Sequence, residues 1–346
     1  MSVVAVVTSS PPAVEGGHLV LARSLVEALR AAGHDADLVI TPDYGFGRQA
    51  SAYAATWRFD VSRVGGRRVD QVISLRYPSY AVRHPAHVCW LMHTMREYYD
   101  LWPQLTSSIS WPNLVKESVR KAAIHAADRW LLTRNVTRVV AESQTIQRRL
   151  ASDFGIHAEV VYPPPPQRPY RCDDYGDYVF AVSRLTRHKR FDLLVRALAD
   201  ASASHVKAVI AGEGAERQAL EQLAQTLGVA DRVTFAGRVD ETAMLDHLAR
   251  CRAVAFTPFA EDYGFVTVEA FASRKAVITC VDSGGPTELV TDDDTGVVCE
   301  PNPSSLAIAL ARLSDDRRLA ERLGANAAAR VASMTWTAAV NRLLAT

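Results

Sequence analysis

The sequence predicts an α/β protein built from two doubly wound, parallel-sheet domains, and three observations predict it. Short β-branched runs alternate with longer segments of helical period along all 346 residues. That length exceeds one ordinary core and suits two. Near the middle, Pro163-Pro164-Pro165-Pro166 halts regular structure and makes a short, stiff connector.

Taken in order, Val3–Val7 is a continuous apolar run and reads as a central parallel strand. The loop Thr8–Gly17 follows, closed by Gly16-Gly17, and His18–Ala32 shows helical period through Leu21, Leu25 and Leu29. Gly16-Gly17 is at least a tight turn, and the dinucleotide fingerprint Gly-x-Gly-x-x-Gly is absent. Asp37–Ile40, Val69–Leu75 and Ala86–Met92 supply further strands. His93 stands just past the last of them, at the rim where α/β proteins keep their sites, with a structural histidine as the alternative. Arg96, Tyr98 and Tyr99 beside it divide between acceptor contacts and packing. Pro112–Leu132 reads as a long helix and Arg138–Ala141 as a strand. Ser143 caps a helix running to about Asp153, and Glu159–Tyr162 is the last strand before the prolines.

In the second half, Asp177–Ser183 is a strand ending in Ser183-Arg184-Leu185, and Lys189 precedes a helix carrying Phe191, Leu194 and Leu198. An arginine at a strand end and a lysine at a helix start can both reach a diphosphate. The plainer reading is two solvated charges in a turn with Arg187, His188 and Arg190. Lys207–Ala211, Gly212-Glu213-Gly214 and a helix to about Leu227 repeat the unit. Arg232–Phe235 leads into Gly237-Arg238-Val239-Asp240, where Asp240 also suits the cap of a helix carrying Leu245 and Leu248.

Residues 258–290 are the most informative. Ala253–Thr257 is a short buried strand stopped by Pro258, and Phe265, Val268 and Ala272 recur at helical spacing, so a helix starts near Gly264. A helix start presents unpaired N–H groups, a natural seat for phosphate. Glu261 on the loop and Glu269 in the helix cannot serve to attract phosphate, but they suit sugar or ribose hydroxyls. Ala276–Cys280, Gly284-Gly285-Pro286 with Glu288, and Gly296–Cys299 complete the alternation. Residues 303–330 are helical, and Thr335–Leu344, with Trp336, forms a last segment. Asp292-Asp293-Asp294 before Thr295-Gly296 reads as a solvated turn rather than a metal site.

Composition narrows the classes. With 48% apolar and 22% charged residues the chain has the mix of a soluble enzyme, and a net charge of +1 argues against nucleic-acid binding by bulk charge. Residues 1–166 hold 18 basic and 14 acidic side chains, and 167–346 hold 21 and 24. The first half is thus the one suited to an anionic acceptor or membrane surface. The five cysteines are scattered and odd in number, which points to reduced thiols in the cytoplasm rather than disulfides or zinc. No run approaches the roughly 18 apolar residues of a membrane span. Val3–Val7 lacks the basic lead and length of a signal peptide.

Glu261 and Glu269, seven residues between them, with Gly264-Phe265 inside, resemble the signature of the retaining, GT-B-type nucleotide-sugar glycosyltransferases of family four (glycosyl transferases group 1). Gly284-Gly285-Pro286 with Glu288, and Arg184 with Lys189, stand where that family has its counterparts. The resemblance covers nearly the whole chain, with specific motifs in the second half and loose ones in the first. It implies two Rossmann-like domains facing a cleft: an acceptor-side domain, 1–165, onto which 335–346 crosses back, and a donor-binding domain, 166–334. It implies a nucleotide diphosphate sugar of the GDP-mannose or UDP-glucose type as co-substrate. The acceptor is a hydroxyl of a glycan, a lipid-linked molecule or a small molecule, and neither cofactor nor bound metal is characteristic. The segment His87–Trp102 is most like enzymes that build surface polysaccharides or decorate metabolites.

By the same resemblance, Arg184 and Lys189 hold the diphosphate, Glu261 the sugar hydroxyls and Glu269 the ribose. The helix start at Gly264-Phe265-Val266 takes up leaving charge, and Gly212 and Val239 join the donor set. Gly16-Gly17 approaches the phosphates from the opposite side, and His93 lies against the donor sugar. The catalytic set is then His93, Arg184, Lys189 and Glu261. No carboxylate pair stands out as nucleophile plus acid, so same-face attack with the departing phosphate taking the acceptor's proton is the expected chemistry. Closure about the proline connector would exclude water. The alternatives are a nucleotide-sugar epimerase, another GT-B enzyme without an acceptor sugar, or a non-enzymatic two-domain sugar-binding protein. A phosphorylase dependent on pyridoxal phosphate would need a cofactor-lysine motif, which is lacking. Base, sugar, linkage and oligomeric state do not follow from these residues.

Overall fold

In the computed structural model, which describes residues 1–11, 16–107 and 109–344, the proline run separates two α/β units. One comprises residues 1–163 with the C-terminal segment from Thr335, and the other comprises 164–334.

The first unit runs β1 (Val3–Ser10), α1 (Gly17–Ala31), β2 (Asp35–Pro42), α2 (Gln49–Arg58), a two-residue-a-side hairpin of β3 (Arg63–Val64) and β4 (Arg67–Arg68), then β5 (Gln71–Ser74) and β6 (His87–Leu91). It continues through α3 (Trp102–Thr106), α4 (Trp111–Trp130), β7 (Arg138–Ala141), α5 (Gln144–Phe154) and β8 (Glu159–Val160). Six strands make one parallel sheet in the order β2-β1-β5-β6-β7-β8. The first strand extends three residues beyond the apolar run Val3–Val7, because Thr8, Ser9 and Ser10 stay in register with Ile40, Thr41 and Pro42. The Ser9 and Thr41 hydroxyls bond each other at 2.6 Å, which lets polar residues continue a buried strand. Ser143 caps α5 by accepting from the Ile146 N–H. Helix α2 and the small hairpin have no counterpart in the sequence reading.

Helix α4 widens into a π-type turn over Leu131–Asn135. Its Asp128 is fully buried and accepts from three tyrosine hydroxyls, Tyr53, Tyr80 (2.6 Å) and Tyr99 (2.8 Å). Burial pushes that carboxyl up to about 6 against the pull of these donors.

The second unit opens with β9 (Tyr178–Val182), α6 (Phe191–Leu198), β10 (Lys207–Ala211), α7 (Arg217–Thr226), β11 (Val233–Gly237) and α8 (Glu241–Arg250). It continues with β12 (Ala253–Ala255), α9 (Phe265–Ala272), β13 (Val277–Cys280), α10 (Gly285–Leu289), β14 (Gly296–Cys299), α11 (Pro303–Asp315) and α12 (Arg317–Ala332). Its sheet is again parallel, in the order β11-β10-β9-β12-β13-β14. The core lies between sheet and helices, with Val179, Ile210 and Ile278 meeting Leu194, Leu198 and Leu310.

Three expectations change here. The 303–330 helix is two helices, broken at Asp316, whose carboxylate caps the second by accepting from the Leu319 N–H at 2.9 Å. The Gly284-Gly285 turn starts the short helix α10. On α9 the expected face of Phe265 and Ala272 is only half-buried, whereas every residue from Thr267 to Phe271 is buried. The helix is covered on its outer side by α12 as well as packed on β13, so it has no solvent stripe.

The chain then returns to the first unit. Helix α13 (Trp336–Leu344) packs on α1, with Ala339, Val340 and Leu343 buried. Trp336 meets Trp90 edge-on at 6.4 Å, the Gln71 amide donates to the Leu343 carbonyl at 3.0 Å, and Arg342 donates to Glu159 at 2.6 Å.

Candidate functional site

In a parallel sheet every strand ends at the same edge, and ligands gather there where the strand order reverses. In the second unit the order reverses between β9 and β12. Arg184 and Lys189 follow β9, Gly212 follows β10, Val239 follows β11, Glu261 and Gly264 follow β12, and Gly284 follows β13. Topology alone therefore brings all of them to one edge, and side chains from the two strands at the reversal meet.

Lys189 Nζ donates to Glu261 Oε2 at 2.5 Å and lies 5.6 Å from the centre of the Phe256 ring. The Lys189 side chain is 8% exposed and that of Glu261 16%, so the pair is shielded yet reachable. Lys189 closes the tight turn Arg187–Lys189 rather than starting α6; Arg190, in a left-handed conformation with φ +53°, intervenes. The Arg190 guanidinium holds both Asp282 oxygens (2.8 and 2.7 Å) and donates to the carbonyls of Thr257 (2.8 Å) and Pro258 (2.7 Å). It thereby ties together the loops after β9, β12 and β13, a function that its basic neighbours concealed in the sequence.

Glu261 is held by its backbone. Its N–H donates to the Ser283 carbonyl at 2.8 Å, and its carbonyl accepts from the Gly285 N–H at 2.8 Å. Only glycine fits opposite. At Gly284, φ is +76° and a Cβ would fall 2.4 Å from the Glu261 carbonyl oxygen. At Gly264, φ is +89° and a Cβ would fall 2.6 Å from the Phe256 ring. Helix α9 starts directly after Gly264, so the N–H groups of Phe265 and Val266 precede any partner within the helix and carry its positive end.

Glu269, inside α9, has other partners. It is buried, is ion-paired with Arg168 and accepts from the Tyr170 hydroxyl at 3.3 Å. Burial pushes its carboxyl up to about 7, against the pull of Arg168 and then of Tyr170. Arg168 also reaches Glu241 at 2.9 Å. Among the described residues this cluster and the Lys189–Glu261 pair share no hydrogen bond or ion pair. Neither Arg168 nor Tyr170 figured in the sequence reading, and no spacing signal pointed to them: they lie about 100 residues from Glu269 in the chain.

The remaining residues are placed as follows. Arg184 is exposed, and its side chain makes no hydrogen bond or ion pair among the described residues. Gly212, just past β10, donates to the Gly237 carbonyl at 2.7 Å, and Val239 is half-buried just before Asp240, whose carboxylate caps α8. In the first unit, Gly16 accepts from the Leu19 N–H at 3.0 Å and Gly17 begins α1; the loop residues 12–15 lie outside the described residues. His93 follows β6, with Nδ1 2.8 Å from the Thr94 carbonyl. The aspartates 292–294 serve the chain itself: Asp292 accepts from the Val298 N–H, Asp293 pairs with Arg312, and Asp294 accepts from Asn326.

Residues 169–330 match the family described as glycosyl transferases group 1. The chain is 31% identical over 162 residues to alpha-D-kanosaminyltransferase of Streptomyces kanamyceticus, which covers 46% of this chain and 42% of that one. It is 28% identical over 168 residues to human alpha-1,3/1,6-mannosyltransferase ALG2, covering 44% and 40%. A longer match, 27% over 301 residues, is to the D-inositol 3-phosphate glycosyltransferase of Nocardia farcinica, covering 71% and 66%. The aligned stretches thus span about two fifths of the first two relatives. Among solved structures, sucrose-phosphate synthase from Thermosynechococcus elongatus superposes with a TM-score of 0.75 at 19% identity, covering 98% of this chain and 97% of that one. Anabaena HepE in complex with UDP and glucose superposes with a TM-score of 0.69 at 18% identity, covering 98% and 97%. The architecture is therefore GT-B, two Rossmann-like units, and residues 169–330 match the glycosyl transferases group 1 family.

Proposed function

We propose that this protein is a retaining glycosyltransferase that moves a hexose from a nucleotide diphosphate sugar to an acceptor hydroxyl. The observation that carries the reading is the Lys189–Glu261 contact, made across 72 residues where the strand order reverses, beside the N-terminus of α9. The second unit is then the donor side and the first the acceptor side, and His93 and the Gly16-Gly17 turn keep the roles the resemblance implies. The reaction suits a cytoplasmic protein whose five cysteines are free thiols.

The barrier in such a transfer is charge, because a diphosphate departs as the sugar carbon becomes cationic. Lys189 has two further N–H donors beyond the one held by Glu261, and Glu261 sets their direction before substrate arrives. Exposed Arg184 and the first N–H groups of α9 supply the rest of the positive potential. Glu261 keeps a second oxygen for a sugar hydroxyl, and Glu269, fixed by Arg168 and Tyr170, is the acceptor for ribose. Among the described residues no paired carboxylates stand ready as nucleophile and acid, so we assign the acceptor's proton to the leaving phosphate.

Lys189→Ala is expected to leave a folded protein whose transfer falls roughly a hundredfold, the usual effect of about 3 kcal/mol of lost charge stabilisation. The test is a thermal-shift panel of nucleoside diphosphates and their sugars, followed by donor turnover with and without candidate acceptors. NMR of the product gives its anomeric configuration. The right nucleotide raises the melting point by mass action. Indifference to every nucleotide would overturn the reading, turnover without acceptor would favour an epimerase, and an inverted product would remove retention.

A further inference from the structure

The outward face of α4 departs furthest from ordinary surface chemistry. At 100° per residue, Trp111, Val115, Val119, Ala122, Ala126 and Trp130 fall in a stripe about 100° wide along a helix roughly 30 Å long. Trp111 is 75% exposed, Val119 68%, Trp130 49% and Val115 46%, and both alanines are exposed. The opposite face holds Glu117, Ile124 and Asp128, all buried.

Charge on α4 is sorted the same way. Both acids face inward, Glu117 beneath Arg120 at 2.6 Å and Asp128 beneath its three tyrosines. Lys116 is exposed and Lys121 half-buried, one on each side of the stripe; Arg120 is held by Glu117, and Arg129, which falls within the stripe, donates to the carbonyls of Asp153 (2.7 Å) and Phe154 (3.3 Å). The solvent side of the helix therefore carries cations and no acid. The apolar surface extends at the C-terminal end of the helix. Trp130 walls a cavity of about 340 Å³ with Trp57, Tyr53 and Arg58.

We propose that this face of α4 lies in the headgroup region of a bilayer rich in anionic lipid. An apolar stripe with tryptophan at each end and flanking cations is the composition of a helix lying in the interface plane. Among the described residues no helix is long and apolar enough to cross a membrane, so the contact is one of lying on the surface. Charge disfavours a second copy of the chain as the occupant, since stripe against stripe would set Lys116, Lys121 and Arg129 against their like. A free small amphiphile would fill the cavity and leave Trp111, Val115 and Val119 bare.

The test is flotation of the full chain with vesicles of phosphatidylcholine alone and with phosphatidylglycerol-rich vesicles, beside sedimentation in their absence. The protein is expected to float with the anionic vesicles only, and less so as salt is added. Trp111→Ser with Val119→Ser, and separately Lys116→Glu with Lys121→Glu, are each expected to weaken partitioning about tenfold with circular dichroism and melting point unchanged. Equal binding to both vesicles, no binding to either, or undiminished binding by both variants would overturn the proposal. So would a dimer that Trp111→Ser with Val119→Ser dissolves, which would assign the face to a second copy. No sugar donor takes part, so failure here leaves the transfer reading intact.

Discussion

Glu269 shows how far a single residue's surroundings decide its chemistry. Its carboxyl titrates near 4.5 when unfolded, and burial raises that to about 7 in the fold. Between those values the folded protein holds a proton that the unfolded chain has lost, so stability is full below the lower pKa and falls as pH rises through the higher one. The total loss is about 3 kcal/mol. Glu269→Gln should remove this contribution, so the difference between urea melts at about pH 5 and about pH 8 should be smaller for the variant than for wild type, with the buried Asp128 keeping a part of its own. An identical slope in both would remove Glu269 as its source. The glutamate could be picked out in the sequence by its spacing from Glu261. Its partners, Arg168 and Tyr170, could not, since they arrive from the connector by tertiary packing alone.

At the scale of elements, the loop after β12 and the start of α10 form one assembly, locked by the Glu261 backbone bonds to Ser283 and Gly285. Gly284→Ala would place a Cβ against the Glu261 carbonyl at a left-handed backbone position, and about 2 kcal/mol or more of stability should go with it. Melting point and nucleotide affinity should fall together, because the same loop carries Glu261 and leads into α9. A variant that melts lower yet binds nucleotide as before would separate the loop from the site. Most elements were legible from period and caps: Ser143 and Asp240 hold the caps expected of them. The break at Asp316 was not, since an alanine-rich run looks continuous until its capping bond is seen. The all-round burial of α9 also escaped, because no local pattern reveals that α12 covers it.

At the scale of the molecule, the first unit is completed by the last helix. Deleting residues from Thr335 onward would strip Val340 and Leu343 from α1, a loss of about 4 kcal/mol and a large part of an ordinary domain's stability. Such a truncation should melt in two steps, the first unit early and residues 164–334 near their original temperature, because the core of the second unit is its own. A single unshifted transition would show that α13 contributes little.

The sequence by itself determined the α/β class, the two-unit division and the glutamate, glycine and cation motifs, since these rest on local period, turn chemistry and spacing. Only the tertiary structure decided that Lys189 pairs with Glu261, that Glu269 is clasped by Arg168 and Tyr170, and that Arg190 binds three loops together. Those contacts join residues 67 to 101 positions apart. Which side chains meet across such distances is set by strand order and helix packing, and no local stretch of chain encodes it.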